Sequence, residues 1–292
     1  MTIELRHLRA FLVIAEEGNI TRAAARLHLS QPALSRTLRQ LEVHLGARLV
    51  DRSTHHLELT AEGRTFRDKA AAAIAAVDTA LDPGGLRSWP LRLGHTWAAL
   101  GDHTVPLLRR WDETRPRIPL ELLRIDDRTA GLTQGKVDAA LLRGAVTWPG
   151  LRTELLLSEE RVVVMAADSP LAALPRVTLA DLAAHPIALN TVSGTTTLDL
   201  WPPTARPAAT IEVTNTDEWL IAIAAGRAVG VSTSATPSSH TNPSLVYRPL
   251  ADAPAVPVVL AWREGLGHPA IPDLLALARE VLATRLPGNA PR

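Results

Sequence analysis

Apolar residues recur at three- and four-residue intervals through the first eighty positions, and this spacing predicts a series of helices. Leu5, Leu8, Leu12 and Ala15 share one face of a first helix that stops at Gly18. Thr21 is the expected cap of a second, which carries Ala24, Ala25 and Leu27. Ser30 caps a third, with Pro32 in its first turn, where a missing N–H costs little. There Leu34, Leu38, Leu41 and Leu45 fall within about 60° of one another at about 100° per residue. Pro32, Arg36, Arg39 and Val43 face the other way, flanked by Ser35 and Gln40, and Gly46 ends the helix. Leu49–Arg52 and Leu57–Leu59 are expected to pair as two short strands around Ser53-Thr54-His55-His56, forming a wing. From Thr60 to Leu81 runs one Ala-rich helical stretch, ended by the breaker Asp82-Pro83-Gly84-Gly85. Phe66, Ala70, Ala73, Val77 and Leu81 form a stripe along it, with Ile74 alongside.

After Trp89 the pattern changes to short apolar runs alternating with amphipathic segments, the signature of an α/β domain. Strands are expected at Leu91–Gly94, Leu120–Ile125, Val137–Leu142, Arg161–Ala166, Ile187–Asn190, Val229–Ser232 and Val258–Trp262. Helices are expected over Thr96–Trp111, Thr216–Ala225 and Ile271–Leu286. The chain therefore divides into 1–59, a linker helix and hinge at 60–88, and a larger domain at 89–292.

A length of 292 residues suits two or three compact units, and 46% hydrophobic with 21% charged residues describes a globular chain with ample core. The net charge of +1 decides nothing about nucleic acid, so any basic function must be local. Almost all the cations are Arg, Lys69 and Lys136 being the exceptions. Aromatic residues at 3% argue against base-stacking platforms. No apolar run is long enough for a membrane span, and the N-terminus lacks a secretory pattern, so a cytoplasmic location is expected. The absence of cysteine excludes disulfides and thiolate metal sites. His55-His56 on the wing reads as a solvated pair, so no metal is expected. No Gly-x-Ser-x-Gly, His-Glu-x-x-His or P-loop occurs, so neither an enzyme nor a cofactor site is expected.

Two helices joined by a tight turn, the second turning Arg and small polar residues outward, suit a major groove. The same face also describes an ordinary solvated helix. The wording of the segment separates the two. Phe11 to Ala24, Leu27 to Arg36 with its Ser30-Gln31-Pro32-Ala33-Leu34-Ser35-Arg36 core, Gln40-Leu41-Glu42, Leu45-Gly46, Leu49–Arg52 and Leu59-Thr60-Ala61-Glu62-Gly63 resemble the LysR-type transcriptional regulators nearly throughout residues 3–63. The resemblance implies a winged helix-turn-helix in which Gln31, Pro32, Ser35, Arg36 and Arg39 meet double-stranded promoter DNA. Arg36 and Arg39 can reach guanine or phosphate, and Gln31 and Ser35 base edges. Thr21 and Arg22 then serve the backbone, and Arg52 and His55 the minor groove. It also implies that the Phe66–Leu81 stripe pairs two subunits through antiparallel helices, giving a homodimer or homotetramer. Packing of the stripe on its own domain is the alternative.

The C-terminal half, including Gly135-Lys136-Val137-Asp138-Ala139-Ala140-Leu141, resembles the same family's periplasmic-binding-protein-like effector domain. That fold implies two α/β lobes, here about 89–162 with 265–292 and about 163–264, crossing near Val162–Met165 and Trp262–Gly265. Ligands of such sheets sit beyond the carboxyl ends of strands. This selects Thr96, Trp97, Arg128 and Arg143 in one lobe and Thr191, Ser193, Gly194, Thr195, Ser232 and Thr233 in the other. Hydroxyls, free backbone N–H groups around 193–195 and Arg143 favour a small anion, with Trp97 and Trp262 as an apolar wall. Asp126 and Asp127 near the opening argue instead for an amine. The polar run Gly230–His240 departs from the family's usual apolar stretch. The implied function is a regulator in which ligand changes subunit arrangement, DNA bending and RNA polymerase contact. A solute-binding protein is the rival that the second half alone permits, as is a regulator whose second half only oligomerises.

Overall fold

The structure is a computed structural model that describes residues 3–51, 57–81, 89–265 and 267–284. It divides into two compact units, Met1–Trp89 together with Thr133–Lys136, and Pro90–Leu132 together with Val137–Arg292.

In the first unit α1 spans Leu5–Glu17, α2 Ile20–Arg26 and α3 Gln31–Leu45. The α1 face that turns inward is His7, Ala10, Phe11 and Ile14, not the expected Leu5, Leu8, Leu12 and Ala15. Phe11 and Ile14 carry more apolar area than the alternatives, and the helix rotates to bury them, leaving Leu5 exposed. Thr21 does not cap α2. Asn19 does, its Oδ1 accepting from the N–H groups of Thr21 at 2.9 Å and Arg22 at 3.1 Å. The turn into α3 passes through His28, whose φ of +55° is left-handed. Ser30 caps α3 as expected, accepting from Ala33 N–H at 3.4 Å. Leu34, Leu38 and Leu41 are buried against Phe11, Ile14, Ala23 and Ala24, whereas Leu45 lies beyond this core and is exposed.

Two short strands follow, β1 (Val50–Asp51) and β2 (Glu58–Leu59), paired antiparallel with Val50 opposite Leu59. The tip expected at 53–56, with the candidate contacts Arg52 and His55, lies outside the described residues. Helix α4 (Ala61–Ala80) is capped by Thr60. The Thr60 hydroxyl also donates to Arg48 O at 2.7 Å, and its backbone N–H to Leu49 O, so the cap fastens the helix to β1. Gly63 makes this approach fit: a Cβ there would lie 2.0 Å from Leu49 O. The expected subunit-pairing stripe is divided. Phe66 stands edge-on to Phe11 at 5.1 Å, and Ala70 is buried in the same domain. Val77 is half-buried, while Ala73 and Leu81 are exposed. The first two residues of the stripe thus belong to their own domain because α1 already covers them.

The second unit holds two lobes. In lobe I the strands β3 (Leu91–His95), β4 (Leu120–Arg124), β5 (Ala139–Arg143) and β6 (Leu151–Glu159) precede the crossing. Helix α5 (Thr104–Thr114) lies between β3 and β4. Lobe II contains β7 (Arg161–Ala166), α6 (Leu179–Leu182), β8 (Ile187–Asn190), β9 (Thr210–Val213), α7 (Thr216–Ala224), β10 (Gly230–Thr233), α8 (Thr236–Ser239) and β11 (Leu245–Pro249). The chain then returns as β12 (Val256–Arg263) and α9 (Ile271–Ala283). Lobe I is a five-stranded sheet in the order β4-β3-β5-β12-β6, with β12 antiparallel to both neighbours. Its core packs Trp111 on α5 and Leu274 and Ala278 on α9 against Leu91, Leu93, Leu141 and Leu260. Lobe II combines the sheet β10-β7-β11 with the parallel pair β8-β9.

This topology corrects the expected crossings. The first lies at Glu160, between β6 and β7, and the second at 250–255, between β11 and β12. Trp262 pairs with Ala139 inside the lobe I sheet, so it joins that core rather than the cleft. Strand β6 escaped the sequence reading because Leu155-Leu156-Leu157 breaks its alternation. The register shift opposite Val258 and Val259 is the cause: Leu156 and Leu157 pack on the core and Leu155 is exposed. The helix expected from Thr96 begins only at Thr104. Residues 96–100 are irregular and pass through Ala99 at φ +43°, and Gly101–His103 form a 3-10 turn.

Alanine is the better helix former at almost any position of a helix. At Gly63 the contact with Leu49 reverses that order, and Gly63→Ala is expected to destabilise the first unit by about 1–3 kcal/mol. Chemical denaturation of the variant checks the sign.

Candidate functional site: recognition helix and inter-lobe cleft

Helix α3 presents Gln31, Pro32, Arg36, Arg39 and Gln40 to solvent, with Ser35 half-buried beside them. Gln31 Nε2 reaches Ser35 Oγ at 3.4 Å. Arg36 and Arg39 make no ion pair among the described residues. The basic residues of α2 differ. Arg26 Nη1 lies 2.8 Å from Glu16 and 3.0 Å from Glu17, and Arg22 donates to Glu17 O with its Nε 3.5 Å from the carboxylate. The N–H groups of Thr21 and Arg22 are taken by Asn19, so the start of α2 offers a phosphate less than the sequence promised. The cationic face available to a duplex is therefore that of α3, backed by Leu34, Leu38 and Leu41.

The second site is the cleft between the lobes. It has an outer chamber of about 660 Å³ bordered by Thr96, Arg128, Arg143, Thr147, Trp148, Thr191, Ser193, Gly194 and Thr196. An inner chamber of about 30 Å³ lies between Trp97 and Trp219, ringed by Asn190, Thr195, Thr196, Thr216, Ser232 and Thr236. Asn190, Gly194 and Thr196 border both. Nine of the ten residues expected from strand ends thus line one chamber or the other. Thr233 is fully buried beneath them.

Two expectations about this chemistry change. Arg143 is not a free cation: it makes a bidentate ion pair with Glu159, Nη2–Oε1 at 2.7 Å and Nε–Oε2 at 2.9 Å, and both side chains are almost wholly buried. Thr233 Oγ1 donates to the same carboxylate from lobe II. Trp97 covers the guanidinium, its ring centroid 4.5 Å from Cζ. Of the Arg143 nitrogens, Nη1 is buried without an acceptor among the described residues. The turn after β8 also has fewer free donors than expected. Asn190 Oδ1 accepts from the N–H groups of Val192 and Ser193, and Asn190 O from that of Gly194. Its Nδ2 donates to Ser193 Oγ at 3.0 Å.

Arg161, absent from the sequence reading, binds this wall to the crossings. Its guanidinium donates to Pro254 O at 2.9 Å, Thr196 Oγ1 at 3.2 Å and Thr195 O at 3.2 Å. Arg161 and Asn190 read only as strand ends, and Glu159 ends β6, the strand that the apolar pattern did not reveal. A charged Glu-Glu-Arg run between two apolar strands was the available signal.

Two family models match the chain. One, described as the LysR substrate binding domain, covers residues 84–283, and the other, the bacterial regulatory helix-turn-helix protein of the lysR family, covers residues 5–64. The chain belongs to the LysR family. It is 32% identical to the transcriptional regulator CatR of Pseudomonas putida over 94% of this chain and 98% of CatR. It is 36% identical to the uncharacterized HTH-type regulator YnfL of Escherichia coli over 64% of this chain and 65% of YnfL. The crystal structure of full-length BenM superposes with a TM-score of 0.54 at 26% identity, over 96% of this chain and 97% of that one.

As a LysR regulator the chain is a DNA-binding transcription factor with a C-terminal effector domain, not an enzyme. No helix among the described residues is long and apolar enough to cross a membrane. No group of three or more His, Asp or Glu among them is arranged to hold a metal ion.

In the LysR effector domain two histidines have lowered pKa values. His95 is depressed first by burial and then by the Arg124 and Arg143 charges, opposed by a backbone bond at Trp97 and by Asp126. His240 is depressed by burial and Arg124, opposed by Asp217. The unfolded chain therefore binds protons that the native domain resists, so this contribution is intact above the ordinary histidine value of about 6.5 and is lost as pH falls through the folded values. Melting temperature is expected to fall between pH 7.5 and 5.5, and less so in His95→Gln. Arg143→Gln leaves the Glu159 carboxylate buried without its partner and is expected to cost about 3–5 kcal/mol. Thermal melts of the single variant and of Arg143→Gln/Glu159→Gln check this, since the double variant should recover much of the loss.

Proposed function

We propose that this regulator recognises an approximately palindromic promoter site through paired α3 helices and responds to a small carboxylate-type anion held in the outer chamber. The reading is carried by one pattern of charge. In both sites cations remain uncommitted where the surrounding acids have been used elsewhere. On α3 these are Arg36 and Arg39, while Glu16 and Glu17 hold the arginines of α2. In the cleft the uncommitted cation is Arg128, which is exposed at the rim. The hydroxyls of Thr96 and Thr147 complete a polar lining suited to carboxylate oxygens, those of Thr191 and Thr196 being donated to backbone carbonyls. The volume of about 660 Å³ lies within the range of small-molecule sites.

Two reading heads are needed because one binds too weakly at physiological salt. The part of α4 that its own domain does not cover, around Ala73, Val77 and Leu81, supplies the pairing surface for an antiparallel helix dimer. Ligand acts through a difference in affinity for two subunit arrangements, and so on DNA bending and RNA polymerase contact. The protein works in the cytoplasm, where DNA and metabolite meet.

Selection of genomic fragments by the purified full-length protein, followed by footprinting with and without a panel of aliphatic carboxylates, tests both halves. A discrete footprint that shifts with one acid is the expected result; a footprint unmoved by every acid removes the anion half. Arg36→Ala should weaken the selected site by about 1–3 kcal/mol relative to random DNA. An equal loss on both would make Arg36 a phosphate contact.

A further inference from the structure

The two chambers of the cleft differ in a way that bears on which anion fits. The inner one has the better recognition surface: two indoles and the hydroxyls of Thr195, Thr196, Thr216, Ser232 and Thr236. Yet it encloses only about 30 Å³, room for a water molecule or two. A dry apolar cavity must reach on the order of 150 Å³ to hold a benzene ring.

Trp97 is what closes it. Trp219, opposite, cannot retreat: its Nε1 donates to Ala188 O at 2.8 Å, and its ring lies so close to Gly230 that a Cβ there would meet it at 2.1 Å. The hydroxyl wall is equally fixed. Thr196 Oγ1 donates to Val231 O and receives Arg161, and Ser232 Oγ lies 2.6 Å from Thr236 Oγ1. Trp97 comes from lobe I and is wedged against Ala235 of lobe II, with its ring stacked on the Arg143 guanidinium. It therefore occupies the place where the flat ring of a ligand would stack on that same cation. Trp97 borders the inner chamber, so removal of the indole would enlarge that chamber, which shares Asn190, Gly194 and Thr196 with the outer one.

We propose that Trp97 is the specificity-determining residue of the cleft, restricting the effector to a small non-aromatic carboxylate in the outer chamber and excluding aromatic acids. This rests on the anion reading above for the ligand's charge, but the exclusion of rings stands on the geometry of Trp97 alone.

The test uses the full-length protein and its Trp97→Ala variant, with Trp97→Leu as a less disruptive second opening should the alanine variant not fold. Calorimetric titrations use propionate, benzoate, indole-3-carboxylate and neutral indole, with a cooperative thermal melt of the effector domain as the folding check. Either folded variant is expected to bind indole-3-carboxylate at least about tenfold more tightly than the wild type, a gain of about 1.4 kcal/mol. Binding of indole by the variants with no acid bound by any protein would support the size restriction while removing the anion reading. Wild-type protein binding benzoate or indole-3-carboxylate as tightly as the variants, or folded variants taking up no ring compound, would overturn the proposal.

Discussion

The effector domain is organised around one buried charge pair. Arg143 ends the third strand of lobe I, Glu159 ends the strand that leaves that lobe, and Thr233 reaches the same carboxylate from lobe II. Desolvating two ions is expensive, and a buried pair of this kind often contributes no more stability than apolar residues of the same shape. Its consequence is directional. Both ions belong to lobe I, and the bond that Thr233 donates to Glu159 is the one that crosses, so the buried carboxylate favours the placement of lobe II that supplies it. The cleft inherits its shape from this choice, including the stack of Trp97 on the guanidinium.

The helix-turn-helix solves a different electrostatic problem. A chain with a net charge of +1 must still present a cationic surface to DNA. It does so by distribution. Acids at the end of α1 neutralise the arginines of α2, while Arg36 and Arg39 make no ion pair among the described residues and the acid on their own helix, Glu42, accepts from the Leu49 N–H. Exposed pairs such as Arg26–Glu16 add little to stability. Their effect is to concentrate the local field on the helix that the leucine face positions.

Most of this arrangement was legible in the residues, and the misses have physical causes. The α3 face was readable because three buried leucines at helical spacing leave only one orientation. The α1 face was not, because two apolar stripes compete there and only packing against Phe66 and the α3 leucines decides between them. Strand ends located nearly all of the cleft residues, since the rule depends only on where apolar runs stop. What the pattern could not convey was pairing. Arg143 appears in sequence as a lone cation after a strand, and its neutralisation by Glu159 depends on β12 lying between β5 and β6. The crossings were misplaced for the same reason: an apolar strand looks alike whichever sheet accepts it.

The position of Arg161 ties ligand chemistry to lobe movement. It begins the first strand beyond one crossing, and its guanidinium holds Pro254 O in the other and Thr195 O and Thr196 Oγ1 in the ligand wall. Its hydrogen bonds run only to neutral acceptors, and burial lowers its pKa. A buried cation without a carboxylate partner is stabilised by whatever negative charge approaches, and an anion in the cleft would approach it through Thr195 and Thr196. On the proposed anion reading, ligand charge would thus act on the residue that joins both crossings to the cleft wall. Such a ligand shifts lobe geometry only as far as that interaction differs between the two arrangements. The inner wall is already locked by hydrogen bonds. Movement is therefore expected to pass through the two crossings rather than through rearrangement of that wall.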